Sequence, residues 1–458
     1  MASKFSARAL PIETTSPRSM SEKQRKFIAR LTCLIAGGMF IDGFILGGMG
    51  IVMPAITRSL DLSLTWQGLI GASTLIGIFI GSPIGGYLAD KLGRKPMFIV
   101  TLGIFLLGSF LQFFLRDAWH VFAVRLFMGL AIGADYSIGW PLLAEFSPAR
   151  LRGKLLAFQE VAWYVGYLVS FSLGYVLVAS FDTDWRVILG LSTIPSLAVF
   201  VLRLGSPESP RWLISKGRTD EAMRIANDHM HDHDVRELHR EIGMKAHAPA
   251  NGFSALFSPK YLKTTIFICV FWITNVTPYF AIGTFAPSVL QGLGVKNGLA
   301  GALLINGVVV AGSLAAMLLI ERAGRRMLSA PPMWICTLAL VVIGLWSHAS
   351  PAVVILCFVV FSFFNAIPTA LTGVYPGEVY PTEVRGAGVG FGMATSRIGA
   401  AAGTFVLPVV VGSAGVGVTM LIAAAICGIG AAVAQALAPE TRGMSLSDAS
   451  NPGGAPRP

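Results

Sequence analysis

Apolar residues run along this chain in blocks of about twenty to thirty, separated by short polar or charged stretches. A helix needs about 20 apolar residues to cross ~30 Å of hydrocarbon, and the pattern predicts twelve such spans. They fall at roughly 28–56, 66–89, 96–115, 119–146, 155–180 and 185–204, then 263–291, 297–320, 329–347, 352–377, 386–412 and 416–437. The chain therefore divides into a tail (1–27), a six-helix bundle (28–204), a linker (205–262), a second six-helix bundle (263–437) and a closing tail (438–458). Within the linker, Leu213, Ala222, Ile225 and Leu238 are spaced for short amphipathic helices. The Pro/Gly-rich end from Asn451 is expected to be disordered. The fold class is an all-α membrane protein.

Composition agrees: 54% of residues are hydrophobic and 13% charged, against about 25% charged in a soluble domain. The net charge of +11 raises the question of nucleic acid, but its distribution answers otherwise. Basic residues crowd the segment before the first span and the loops after the second, fourth and eighth. The alternate loops hold only Arg58, Arg116, Arg186 and Lys296. This positive-inside pattern places both termini and the linker in the cytoplasm of a cell (inner) membrane. Anionic lipid, and no nucleic acid, is the partner that such charge implies. No apolar stretch of a cleavable signal precedes the first span.

Cys33, Cys269, Cys336, Cys357 and Cys427 fall inside spans without metal spacing and read as small apolar residues. The linker also holds His229, His231, His233 and His239. Alternate positions on a helix point to different faces, so no metal site is expected there.

Three charged signatures occur twice. Gly86-x3-Asp90-x2-Gly93-Arg94-Lys95 is echoed by Glu321-Arg322-Ala323-Gly324-Arg325-Arg326, and Gly324 follows Gly93 by 231 residues. Glu145 with Arg152 seven residues on is echoed by Glu378 with Arg385, at an offset of 233. Pro207-Glu208-Ser209-Pro210-Arg211 is echoed by Pro439-Glu440-Thr441-Arg442, at an offset of 232. Unrelated motifs held in register mark a duplicated half, and parallel repeats in an apolar chain mark a transporter. Asp90, Gly93, Arg94, Glu145 and Arg152, with Glu321, Arg325, Glu378 and Arg385, form a candidate conformational gate at the cytoplasmic face. The alternative is that the basic members only set topology.

These motifs, with Pro207-Glu208-Ser209-Pro210-Arg211-Trp212-Leu213 and Pro439-Glu440-Thr441-Arg442-Gly443, resemble the major facilitator superfamily. The likeness is to its sugar-porter-like branch, which also holds organic-cation and organic-anion relatives. The resemblance spans essentially the whole chain. It implies two pseudo-symmetric six-helix bundles, alternating access around a midplane site, no catalysis and no cofactor. The implied partners are a small-molecule substrate, protons and lipids, with a monomer expected.

A charge in hydrocarbon costs at least about 2.5–3.5 kcal/mol, so each one inside a span needs a reason. Asp42 resembles the first-helix aspartate that sugar-type symporters protonate, and Arg125 the fourth-helix arginine that pairs with it. Approach and withdrawal of Arg125 would drive proton release and uptake at Asp42, unless the two form a static pair. Arg397 looks like the organic-anion branch, in which an arginine meets the substrate carboxylate through its planar fork. The alternative is a permanent partner such as Asp42, Asp135 or Glu160.

Sugar porters place paired Gln and an Asn in the seventh span. Here that stretch reads Phe271-Trp272-Ile273-Thr274-Asn275-Val276-Thr277-Pro278-Tyr279-Phe280. Asn275, Tyr279 and Trp272 remain candidate substrate contacts, as do Glu160 and Asp135. Trp140, Trp163 and Tyr164 are candidate walls for an aromatic ligand.

Together these residues point to proton-coupled uptake of a small organic anion, with an aromatic monocarboxylate the first candidate. A proton/sugar symporter and an organic-cation carrier are the alternatives. A membrane enzyme or sensor is disfavoured, because the spans hold no Ser–His, metal or phosphate-loop signature and no output domain follows.

Overall fold

A computed structural model describes residues 21–147, 149–205, 207–230, 235, 238, 253–346, 349–380, 382–442 and 444. Among them every regular element is a helix. The first half holds α1 (Glu22–Leu60), α2 (Leu64–Leu92), α3 (Arg94–Leu111), α4 (Ala118–Phe146) and α5 (Ala149–Phe181). The short pair α6 (Trp185–Gly190) and α7 (Thr193–Arg203) completes it. Between the halves lie α8 (Pro210–Ser215) and α9 (Thr219–His229). The second half holds α10 (Pro259–Thr284), α11 (Ala286–Gly292), α12 (Gly298–Ala323), α13 (Arg325–Leu345), α14 (Pro351–Val379) and α15 (Thr382–Leu437). Among the described residues, eleven segments are long and apolar enough to cross a membrane. The last breaks at Gly415, whose φ of 83° bends α15 into two limbs, so twelve crossings result.

Local chemistry sets the boundaries. Ser21 and Gln24 form a reciprocal capping box that starts α1. Ser63 caps α2 by accepting from Trp66 N at 3.3 Å, and Asp117 caps α4 by accepting from His120 N at 2.9 Å. Gly93 (φ 108°) and Gly324 (φ 84°) turn the chain between α2 and α3 and between α12 and α13, in a region L side chains rarely enter.

Lipid tails offer no hydrophobic drive between helices, so close backbone contact does the packing. At Gly81 and Gly129 a Cβ would collide with the backbone at Leu130 and Thr74, which lets α2 and α4 lie against each other. Leu304, Leu318, Leu338 and Leu356 stay exposed on the perimeter, as a lipid-facing surface requires.

The halves touch on both sides of the centre. A side chain at Gly68 of α2 would collide with the Phe405 carbonyl of α15, and Tyr167 Oη donates to Gly283 O at 3.4 Å. On the side of the repeated motifs, a side chain at Gly153 of α5 would collide with the Glu321 carboxylate.

Candidate functional site

Between the halves lies a narrow cavity bordered by both bundles. The first half lines it with Met39 of α1, Tyr136 and Trp140 of α4, and Glu160, Trp163 and Tyr164 of α5. The second supplies Trp272, Val276, Tyr279 and Phe280 of α10, Thr369 and Thr372 of α14, and Met393 and Arg397 of α15. Trp140 and Trp272 face each other across the halves, their planes 8° apart and centroids 6.2 Å apart. Tyr279 meets Tyr164 edge-on at 5.6 Å. No lining residue is a carboxamide.

Two charged groups enter this aromatic box. Arg397 is 6% exposed, with its guanidinium 5.2 Å from the Phe280 ring and 5.6 Å from the Tyr136 ring. Its Nε and Nη1 are buried without a hydrogen-bond partner. Glu160, 7% exposed, lies in the opposite half and forms no ion pair with it, although each feels the other's charge. Of the permanent partners considered for Arg397, none is bonded to it.

Two expectations need correction. Asn275 does not line the cavity. It is fully buried behind the wall, donating to Thr369 Oγ1 at 2.8 Å and accepting from Asn365 Nδ2 at 3.3 Å. Asp135 is not a substrate contact either. Arg203, at the end of α7, holds it in a bidentate ion pair at 2.6 and 3.1 Å, and Thr101 donates to it at 3.0 Å. The Arg203 guanidinium lies 3.5 Å over the Phe98 ring, and neither member of the pair is exposed by more than a few percent.

Asp42 and Arg125, expected to approach and withdraw, are not bonded to each other in this structure. Arg125 Nη1 donates to Ile45 O at 3.4 Å, and both carboxylate oxygens of Asp42 are buried without a partner. The reason is vertical. Arg125 and Asp135 are ten residues apart on α4, about 15 Å, and Asp42 sits between their levels. Arg125 meets α1 at Ile45, while the Asp135–Arg203 pair fills the space where Gly38 lacks a side chain. Asp42 feels the charges of Asp135, Arg203 and Arg397.

On the motif face the two halves repeat one construction. Glu208 accepts from the backbone N–H groups of Arg94 and Lys95, both at 3.1 Å, and so caps α3. Glu440 does the same for Arg325 and Arg326 at 3.0 and 3.1 Å and caps α13. A carboxylate at a helix N-terminus satisfies orphan donors and complements the helix dipole. Burial opposes ionisation of Glu440, but bonds from the backbone of Arg325, Arg326 and Arg442 outweigh it and hold its carboxyl below the usual value.

Arg325 also bridges Glu321 at 2.9 Å and Glu378 at 2.8 Å, and Glu378 accepts from Thr441 at 2.6 Å. In the first half, Arg152 donates to the carbonyls of Ala144 and Ser147 at 3.2 and 3.3 Å. The side chains of Asp90, Glu145 and Arg385 lie outside the described residues, as do His231, His233 and His239.

A family model for the sugar (and other) transporters matches residues 17–451. The chain belongs to this family, within the major facilitator superfamily. It is similar to the inner membrane metabolite transport protein YgcS of Escherichia coli (strain K12), 35% identical over 442 residues, or 96% of this chain and 98% of that one. It is also similar to the niacin transporter NiaP of Acinetobacter baylyi, 27% identical over 83% of this chain and 87% of the relative. Among solved structures, the proton:xylose symporter XylE bound to 6-bromo-6-deoxy-D-glucose shares the fold. That match has a TM-score of 0.82 and 20% identity, and covers 93% of this chain and 99% of that one. As a member of the family the protein is a multi-pass secondary transporter of small molecules and not an enzyme.

Against this family frame, Arg203 is the residue that sequence reasoning missed. At the end of a span it reads as one more topological arginine. The signal available was the unexplained Asp135 in the fourth span, which demanded a cation from some neighbouring helix.

Proposed function

We propose that this transporter takes up a small aromatic monocarboxylate together with a proton. One observation carries the proposal: a buried arginine, its nitrogens unpartnered, stands in the wall of an aromatic cavity. An uncompensated buried guanidinium costs several kcal/mol, and a carboxylate offsets this by accepting two parallel N–H bonds. The facing rings of Trp140 and Trp272 suit a flat apolar body. A relative that transports niacin, itself named for an aromatic acid, supports the class.

Asp42 carries the proton. Its oxygens lack partners, so the ionised form would be an isolated buried charge, which a proton removes. It feels Arg397, which links its protonation to the substrate's carboxylate. Arg125 lies within about one helical turn, and a shift of α4 against α1 on that scale brings it to Asp42 and releases the proton.

The test is accumulation of labelled benzoate in proteoliposomes with an acid exterior. Wild type should concentrate it, whereas Asp42→Asn should lose accumulation and keep exchange of labelled for unlabelled benzoate. Accumulation by Asp42→Asn would remove Asp42 from the coupling role. The second reading, a proton/sugar symporter, draws on the shared fold with a xylose symporter. It predicts xylose uptake and no benzoate uptake, and the absence of carboxamides from the cavity wall weighs against it.

A further inference from the structure

We propose that Glu160 reads a second, proton-donating group on the same molecule, so that the preferred substrates are aromatic carboxylates bearing a cationic donor across the ring. This rests on the reading that Arg397 takes the carboxylate. The geometry supplies the second contact. Glu160 and Arg397 project from opposite halves into one cavity, each is more than nine-tenths buried, and they are not bonded to each other.

Several other polar groups of the wall are already engaged. Tyr136 accepts from Trp163 Nε1 at 3.1 Å, and Thr372 donates to Thr369 O at 2.7 Å. Thr369 donates to Asn365 O at 2.8 Å and accepts from Asn275. The wall's unbonded groups include one cation, one anion and the indole N–H of Trp140, which has no partner.

Charge balance gives the class. With Glu160 ionised to meet a cationic donor, the cavity's own groups are one positive and one negative. A plain monoanion would leave it with a net negative charge, away from water, where such an excess is costly. A zwitterion restores neutrality and lets each protein charge meet its opposite. The aromatic walls between the two ends accept the ring that joins them.

The experiment is calorimetric titration of the purified full chain with meta-(aminomethyl)benzoate, meta-ethylbenzoate and isophthalate. These ligands share a ring and one carboxylate and differ in whether the second group is cationic, neutral or anionic. Wild type should bind the amine at least about tenfold more tightly than the ethyl compound, as a charge-assisted contact gives, and isophthalate should bind most weakly. Glu160→Gln should erase the preference for the amine, weakening the amine and strengthening the ethyl compound, whose excess negative charge it removes.

Equal binding of amine and ethyl compounds by wild type would overturn this inference and leave the carboxylate reading standing. A preference that survives in Glu160→Gln would do the same. Binding of none of the three would overturn both. The wild-type order decides the matter even should the variant fold poorly.

Discussion

Away from the motif face, the first half buries Asp42, Arg125, Asp135, Glu160 and Arg203, whereas the second half buries Arg397 alone among its described charged residues. At the motif face the halves instead agree almost atom for atom: a positive-φ glycine, a new helix, and a carboxylate 114 or 115 residues later capping it. The two halves share the motif construction, and their interiors differ. The first half holds the groups suited to moving a proton, and the second holds the cation suited to an anionic substrate.

The largest effect expected from this difference is on stability. Removing one member of a buried ion pair costs about 3–5 kcal/mol, so Arg203→Ala or Asp135→Ala should lower the unfolding temperature sharply. An apolar pair, Asp135→Leu with Arg203→Met, should recover most of that loss. Arg397→Ala should leave the unfolding temperature nearly unchanged, because nothing is bonded to Arg397. A thermal-shift series over these variants checks the contrast, and a collapse of Arg397→Ala equal to that of Arg203→Ala would erase it.

The next effect is conformational. Glu378→Gln weakens the clasp that Arg325 makes beside Glu321, the carboxylate that meets Gly153 across the halves. A two-state balance shifts by about fivefold or more for a loss of about 1 kcal/mol. In a background without the five native cysteines, labelling of Val276→Cys from the motif side should rise by that factor. An unchanged labelling rate would show that this network does not hold the halves together.

The smallest effect tests the shared part. Glu440→Gln and Glu208→Gln should each cost about 1 kcal/mol, the scale of a lost helix cap. For Glu440 the folded carboxyl titrates below its unfolded value of about 4.3. Its contribution is therefore full above that value and is lost as the pH falls through the lower folded one. The gap between wild type and Glu440→Gln should be present at neutral pH and close in acid, as chemical denaturation at several pH values would show.

Much of this was legible in the sequence, and the reasons differ by residue. Spans announce themselves because hydrocarbon thickness sets their length, and the duplicated motifs because glycine and charge are costly where they stand. Arg397 was legible as a charge in a span. Its lack of a partner was not, since that depends on which helices surround it. Helices that are apolar on all sides carry no phase. Nothing in the seventh span says that Asn275 turns away from the cavity while Tyr279 and Trp272 face it. Register between helices is equally silent: Asp42 and Arg125 were matched by type, but Arg125 meets α1 at Ile45. Gly38 looks like any small residue until Arg203 and Asp135 occupy the space beside it.

The central claim is that Arg397 meets the substrate's carboxylate, and a binding titration of benzoate and benzamide against wild type, Arg397→Ala and Arg397→Lys tests it directly. Loss of one partner of a buried charged contact costs about 3–5 kcal/mol, or about two to four powers of ten in affinity. Arg397→Ala should weaken benzoate by about that much, and Arg397→Lys, which keeps charge without the fork, should fall between. Benzamide should bind wild type poorly and lose little more in either variant. Equal losses for benzoate and benzamide would contradict the account, placing Arg397 in support of the bundle and not in contact with the ligand.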